Sequence, residues 1–289
     1  MAPGAPVKDT HNIILPPRYE IRLCTPDTAE WVSALNWYNQ FFGSEVLSGV
    51  HAGDLARQVL TVHRTLLDGF RGKDMPPSNG LSYMVIDKEY VFKRPESEAS
   101  GGALYWDELD IDDPALADDD FAKRKLRDGM DFSIVSLVLS TDDFVPRNTD
   151  AWKLRRSVLP KYYLTNKIME EHDHYPQEPR HPTGLGQVIE RLGTSTLEGH
   201  EGRGLMKQLS YFVLLELRAR GFRGFSIDAL APQVHYVWAN PPPGFKATTV
   251  AESTLRDYEM KDDQGLIYRP FEKSKFDRGW KVWVEVTEE

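Results

Sequence analysis

The 289-residue chain has one cysteine, Cys24, which excludes an internal disulfide and a zinc site built on cysteines. It has no apolar run approaching the roughly 20 residues that a membrane helix requires. Residues Met1 to Asn12 lack the basic start and apolar stretch of a secretory signal. Positive charge is also scarce: 35 Lys and Arg stand against 44 Asp and Glu, a formal net charge of −9. Sequence-independent nucleic-acid binding needs a basic face to displace counterions, so that class is set aside. The expectation is a cytoplasmic protein kept dissolved by like charge, with no membrane and no nucleic-acid partner. Oligomeric state is left open.

What is present reads as an ordinary globular α/β chain, 40% hydrophobic and 27% charged, long enough to bury a large core. Residues 1–17, with Pro3, Gly4, Pro6 and Pro16-Pro17, predict a flexible arm. Tyr19 to Cys24 alternates apolar and polar residues, the period of a half-buried strand. Thr25-Pro26 then opens a helix carrying Trp31, Leu35, Tyr38 and Phe42. A second helix is expected over Asp54 to Asp68, and a third over Asn148 to Tyr163. Strands are expected at Leu81–Ile86, Tyr90–Phe92, Ala103–Trp106, Phe132–Leu139 and Trp280–Val286, where Trp283 could line a pocket. An acidic stretch from Asp107 to Asp120 reads either as a solvated loop or as a lip for a cationic substrate. Residues 170–182, polar and proline-rich, read as a mobile loop.

The chemistry concentrates between Gln187 and Phe245. A strand over Val188 to Leu197 enters the turn Glu198-Gly199-His200-Glu201-Gly202-Arg203-Gly204, and a helix from about Leu205 to Arg220 follows. Met206, Leu209, Val213 and Leu217 predict its buried stripe, and Gly221 a left-handed cap. The next strand, Gly224 to Asp228, leads to a shorter helix from Pro232. A helix start leaves its first N–H groups without partners, and glycines let the backbone approach an anion closely. The absence of Lys-Ser or Lys-Thr after the glycines excludes a Walker-type loop, and the missing third glycine argues against a dinucleotide fingerprint.

His200 to Leu205, the helix, and Arg220 to Asp228 together resemble the acetyl-CoA motif of the GNAT superfamily of N-acetyltransferases, written (Arg/Gln)-x-x-Gly-x-(Gly/Ala). Ala231 to Trp238 and then Pro243-Gly244-Phe245 resemble the family's next helix and strand entry. The chain is most similar to fungal members. The resemblance implies a GNAT-type mixed, mostly antiparallel sheet flanked by helices. It further implies a single domain over residues 18–289, with insertions at about 93–131 and 145–186. By the same resemblance the activity is acetyl transfer from acetyl-CoA, as co-substrate and without a metal, to an amine of a small molecule. Gly202, Arg203, Gly204, Leu205 and Met206 would bind pyrophosphate, and Thr196 and Leu197 would align pantetheine. Glu190 is the implied general base.

Several residues depart from the pattern. Glu201 stands where the motif has Arg or Gln, an acid beside a pyrophosphate, and Met206 stands at its last small position. Shifting the frame to Gly202 and Gly204 leaves Gly199 in the Arg/Gln place. The family's proton-donating tyrosine falls on Trp238, and indole cannot serve as an acid at neutral pH. Tyr236 or His235 could take that part if the Asn240-Pro241-Pro242-Pro243 insertion distorts the helix end. Asp228, at the carboxyl end of its strand, is a second candidate base or else a cap for the helix at Pro232. Glu190 beside Arg191 could instead lie on an exposed edge. A rival reading is a fold repurposed for coenzyme-independent cyclase, decarboxylase or lyase chemistry; a third is non-catalytic binding. Glu171-His172-Asp173-His174 is a weak metal signal, and Cys24 reads as a small buried hydrophobe.

Overall fold

The computed structural model describes residues 3–287 apart from 9, 73–74, 179 and 276. It opens with β1 (Ala5–Pro6) and β2 (Tyr19–Leu23). A tight turn at Pro26–Thr28 leads into α1 (Ala29–Tyr38), which runs on as a π-helical turn over Asn39–Gly43. There follow α2 (Glu45–Val50), α3 (Leu55–Arg71), β3 (Tyr83–Asp87), α4 (Pro95–Ser100), β4 (Ala103–Leu104), α5 (Asp119–Gly129) and β5 (Met130–Asp131). Next come β6 (Ile134–Asp142), α6 (Asp150–Val158), α7 (Pro160–Glu171), β7 (Val188–Thr196), α8 (Leu205–Ala219), β8 (Gly224–Ala229) and α9 (Pro232–Ala239). The chain closes with β9 (Phe245–Thr254), β10 (Met260–Lys261), β11 (Ile267–Tyr268) and β12 (Arg278–Val286).

The main sheet has the order β1-β2-β3-β6-β7-β8-β12-β9. Every pair in it is antiparallel except β7–β8, which α8 joins as a crossover. Side chains alternate across a strand, so each face acquires its own core. On one face Leu35, Val59 and Leu60 of α1 and α3 pack against Ile134 and Leu137. On the other, Leu209, Phe212, Val213 and Leu217 of α8 pack against Val135, Val138, Ile189 and Ile227. Each such fully buried side chain stabilises the fold by about 1.5–3 kcal/mol. Met206, expected in this stripe, is instead half-buried over a cleft, and Leu205 takes the core position at the helix start.

Three other expectations change. The helix expected over Asn148 to Tyr163 is two helices, because Pro160 forces Leu159 out of helical geometry (φ −127°, ψ 46°). Tyr90–Phe92 is not a strand; the Asp131 carboxylate collects the Tyr90 hydroxyl and the Lys93 and Arg94 amides, which pins that segment as irregular coil. The polar segment after α7 is also anchored, by a buried Arg180–Asp173 fork with both contacts at 2.7 Å. The described helices include none long and apolar enough to cross a membrane.

Candidate active site

Strands β7 and β8 pair from Val188↔Gly224 to Arg191↔Ile227 and then part. Beyond that point β6 is the one strand partner of β7 among the described residues, across a bulge opposite Leu139/Ser140, and the Tyr162 hydroxyl donates to Leu192 O at 2.9 Å. The Leu197 amide donates to Val135 O at 2.8 Å, so the odd-numbered residues Gly193, Ser195 and Leu197 turn their backbone groups toward β6. By alternation Thr194 and Thr196 turn theirs toward the gap that β8 has left. A cleft of about 700 Å³ fills this gap. A free strand edge inside a cleft is suited to an extended amide-bearing ligand, which can complete the ladder.

The cleft's second wall is the start of α8. Gly199, Gly202 and Gly204 hold φ of +90°, +71° and +75°, a region that side-chain-bearing residues rarely adopt. A Cβ on Gly202 or Gly204 would meet no atom within 4 Å, so the backbone angle, not crowding, demands glycine. The first helical bond runs from Gln208 N to Gly204 O, which leaves the amides of Leu205, Met206 and Lys207 without intrahelical acceptors. All three residues line the cleft, so unsatisfied donors and the positive end of the helix dipole meet there. The turn is braced from behind. Arg203 Nη1 donates to the Tyr19 hydroxyl at 2.9 Å and Nη2 to Gly199 O at 3.1 Å, while His200 Nδ1 lies 3.1 Å from the same hydroxyl. Burial lowers the His200 pKa.

At the floor lies Asp228, the last polar residue of β8. Its Oδ2 accepts a hydrogen bond from Asn166 Nδ2 at 2.5 Å, and its Oδ1 has no partner among the described residues. Burial pushes the carboxyl pKa up to about 6, against the pull of Lys281. Arg191 donates through Nη2 to the Asp228 backbone carbonyl, and its Nε is unpartnered. Asn39 Nδ2, Asn166 Oδ1 and Thr194 Oγ1 are also buried without partners, and all five residues line this cleft. An unsatisfied buried polar atom costs about 1–3 kcal/mol. Five such atoms along one cavity mark it as a candidate site for a polar ligand.

A second cleft of about 420 Å³ meets the first at Tyr162, Asn166, Arg191 and Asp228, which line both. Glu190 lies in this second cleft, where Arg147 Nη2 holds its Oε2 at 2.5 Å. It is therefore neither on a bare edge nor beside the glycine turn. Trp283 lines the same cleft.

Of the other residues singled out in the sequence, Gly202, Gly204, Leu205, Met206 and Thr196 line the first cleft, as does Glu201. Thr196 Oγ1 lies 2.9 Å from Ser136 Oγ. Leu197 does not line it, its amide being committed to Val135 and its side chain to the core. Arg203 is turned to the back of the turn. Tyr236 is 64% exposed and away from both clefts; His235 stacks on Trp280 at 4.7 Å and pairs with Thr249. Trp238 is buried in the core beneath α8. Asp228 caps nothing, because the α9 cap position is Ala231 and receives no side-chain bond. The acidic stretch contributes to neither cleft. No group of three or more His, Cys, Asp or Glu among the described residues is placed to hold a metal. Sequence reasoning missed Asn39, Tyr162, Asn166, Arg191 and Thr194.

No protein-family model and no curated protein sequence matches this chain. Solved structures do. One is the C-terminal condensation domain of Ebony in complex with β-alanyl-dopamine, 16% identical, with 94% of this chain and 100% of that one covered at a TM-score of 0.54. Another is arylalkylamine N-acetyltransferase 2 from Aedes aegypti, 14% identical, with 93% and 99% covered at a TM-score of 0.53. Together with the mostly antiparallel sheet, the parted β7–β8 pair and the helix start between them, these likenesses show that the chain has the GNAT fold.

Proposed function

We propose that the chain transfers an acetyl group from coenzyme A to an amine of a small molecule. The observation that carries this reading is the parted β7–β8 pair: a free strand edge and an uncapped helix start face one cleft, with a half-buried carboxyl group at its floor. The pyrophosphate would sit on the amides of Leu205 to Lys207, and the pantetheine amides would pair with the backbone of Thr194 and Thr196. The acceptor amine would enter from the second cleft, across the wall that the two share.

The acceptor ammonium loses one proton to solvent. Its nitrogen then attacks the thioester carbonyl carbon. Asp228 Oδ1, unpartnered and ionised above pH 6, takes the second proton as the C–N bond forms. The carboxyl group returns that proton to sulfur as the C–S bond breaks, so amide and thiol leave together. Glu190 is less suited to this step, because Arg147 already neutralises it. Tyr236 has no part in it.

Glu201 at the cleft favours a second reading, the same fold without coenzyme A, since a carboxylate repels a pyrophosphate. Calorimetry separates the two. Coenzyme A and acetyl-CoA should bind with micromolar affinity to the wild-type protein and at least tenfold more weakly to Gly204→Trp. No heat with either ligand at millimolar concentration removes acyl transfer and leaves coenzyme-independent chemistry.

A further inference from the structure

The second cleft shows what kind of amine this would be, an inference that rests on the reading above. It lies on the sheet face opposite α8. Glu190, Ser226 and Trp283 are side by side in register there, with Asp228 beside Lys281. Seven lysine and arginine residues line it against four carboxylates, in a chain whose net charge is −9. The excess is the reverse of what a site for a simple cationic amine needs.

Two of these cations decide the matter. Arg155 is 4% exposed and Arg191 6% exposed, both buried, and neither has a carboxylate in salt-bridge contact among the described residues. Arg155 gives one hydrogen bond, from Nη1 to the Tyr163 hydroxyl at 3.2 Å. The rest of its guanidinium lies among the rings of Trp37, Trp152, Tyr162 and Tyr163, at 5.5–5.9 Å. Arg191 gives its Nη2 to a backbone carbonyl and keeps a buried Nε without a partner. Arg155, Arg191 and Tyr162 line the same cleft, with the Arg155 guanidinium 5.5 Å from the Tyr162 ring. Two of the neighbouring cations are already spent, Arg147 on Glu190 and Arg180 on Asp173, and Lys281 stands beside Asp228. Arg191 feels the charges of Asp228 and Glu190 across the cleft without touching either, and Arg155 has no carboxylate in contact among the described residues. A buried guanidinium without a contacting counter-charge is costly, and its planar fork matches an oxyanion with two oxygens. Aromatic faces soften that cost but do not remove the charge.

We propose that the second cleft binds an anionic oxyacid group of the acceptor at Arg155 and Arg191, so that the acceptor is an amino acid or amino-phosphate rather than a plain amine. The anion would anchor between the two arginines, and the amine would reach the shared wall at Asp228. Carboxylate and phosphate present the same chemistry to a guanidinium, and the assay tells them apart.

The test uses the wild-type chain with acetyl-CoA and two matched pairs: tyrosine against tyramine, and phosphoethanolamine against ethanolamine. The anionic member of at least one pair should show a kcat/KM at least tenfold above its partner, and the winning pair identifies the oxyacid. Arg155→Gln should abolish that advantage and Arg155→Lys should restore part of it. If Arg155→Gln fails to fold, the half-buried Lys281→Gln should cut the advantage several-fold. Equal or better use of tyramine and ethanolamine overturns the proposal while leaving acetyl transfer intact. Loss of coenzyme binding and of all turnover is instead a failure of the transfer reading. In that event calorimetry of 3-phenylpropionate against 3-phenylpropylamine decides the cleft: tenfold tighter binding of the acid upholds it, and equal binding overturns it.

Discussion

The two clefts that meet at Asp228 are built from different materials. One end of the first is backbone, a free strand edge, Gly202 and Gly204 at positive φ and the unpaired amides of a helix start, and its floor is polar side chains. The second is lined by charged and aromatic side chains from α6, α7, the loops after β6 and α7, and strands β7, β8 and β12. Backbone sites tolerate sequence change as long as the turn geometry survives. Side-chain sites are rewritten by single substitutions. On the proposed reading, the contrast makes coenzyme affinity and choice of acceptor separable by substitution.

The sharpest way to break the comparison is at the residue that both clefts share. Asp228→Asn should lower kcat by about 100-fold or more, the usual contribution of a general base, while coenzyme affinity changes little. In the wild-type chain the rate should fall as pH drops through about 6, where the carboxyl is protonated, and the variant should lose that limb. Stability should move the other way. The folded carboxyl pKa is raised from 3.8 to about 6, so its contribution to stability is present below pH 3.8 and lost as pH rises through 6. Asp228→Asn stays neutral throughout, so its Tm should exceed that of wild type by a few degrees at pH 8 and match it near pH 3.5. An unchanged rate would remove Asp228 from the chemistry, whatever the stability shows.

A smaller effect sharpens the backbone side. Glu201 is exposed at the rim of the first cleft, where solvent and salt screen its charge. Glu201→Gln should tighten coenzyme A binding by about two- to fivefold at low salt, and the gain should shrink as salt rises. A loss of affinity would show that the carboxylate bonds the ligand instead of repelling it. The smallest effect is expected at Tyr236, which faces solvent from α9. Tyr236→Phe should leave kcat and its pH profile unchanged, and a tenfold drop would mean that the C-terminal end of α9 moves on binding.

Much of the first cleft was legible because its determinants are local. A strand pattern, glycines at fixed offsets and an apolar stripe are all read within 30 residues of one another, from Val188 to Leu217. The exceptions are instructive. Met206 follows the stripe's spacing, yet it sits in the first turn and lines the cleft, while its neighbour Leu205 takes the core position. Leu197 continues the strand's apolar pattern, but its amide falls on the β6 side of the alternation. The second cleft was nearly invisible. Arg155 and Tyr162 lie seven residues apart on two helices that Pro160 separates, and Arg191, Lys281 and Trp283 reach them from strands distant in sequence. No spacing rule connects such positions.

The sequence by itself determined the element order around the glycine turn, the helix that starts there and the sheet strands that flank it. Local propensity and periodicity act over a few residues and need no partner. Only the tertiary structure decided which carboxylate is free. Glu190 and Asp228 are both acids on β7 and β8, but the fold gives one an arginine and leaves the other a bare oxygen at the meeting point of two clefts. Ionisation depends on burial and on neighbouring charge, and both are set by residues that the chain brings together from far apart.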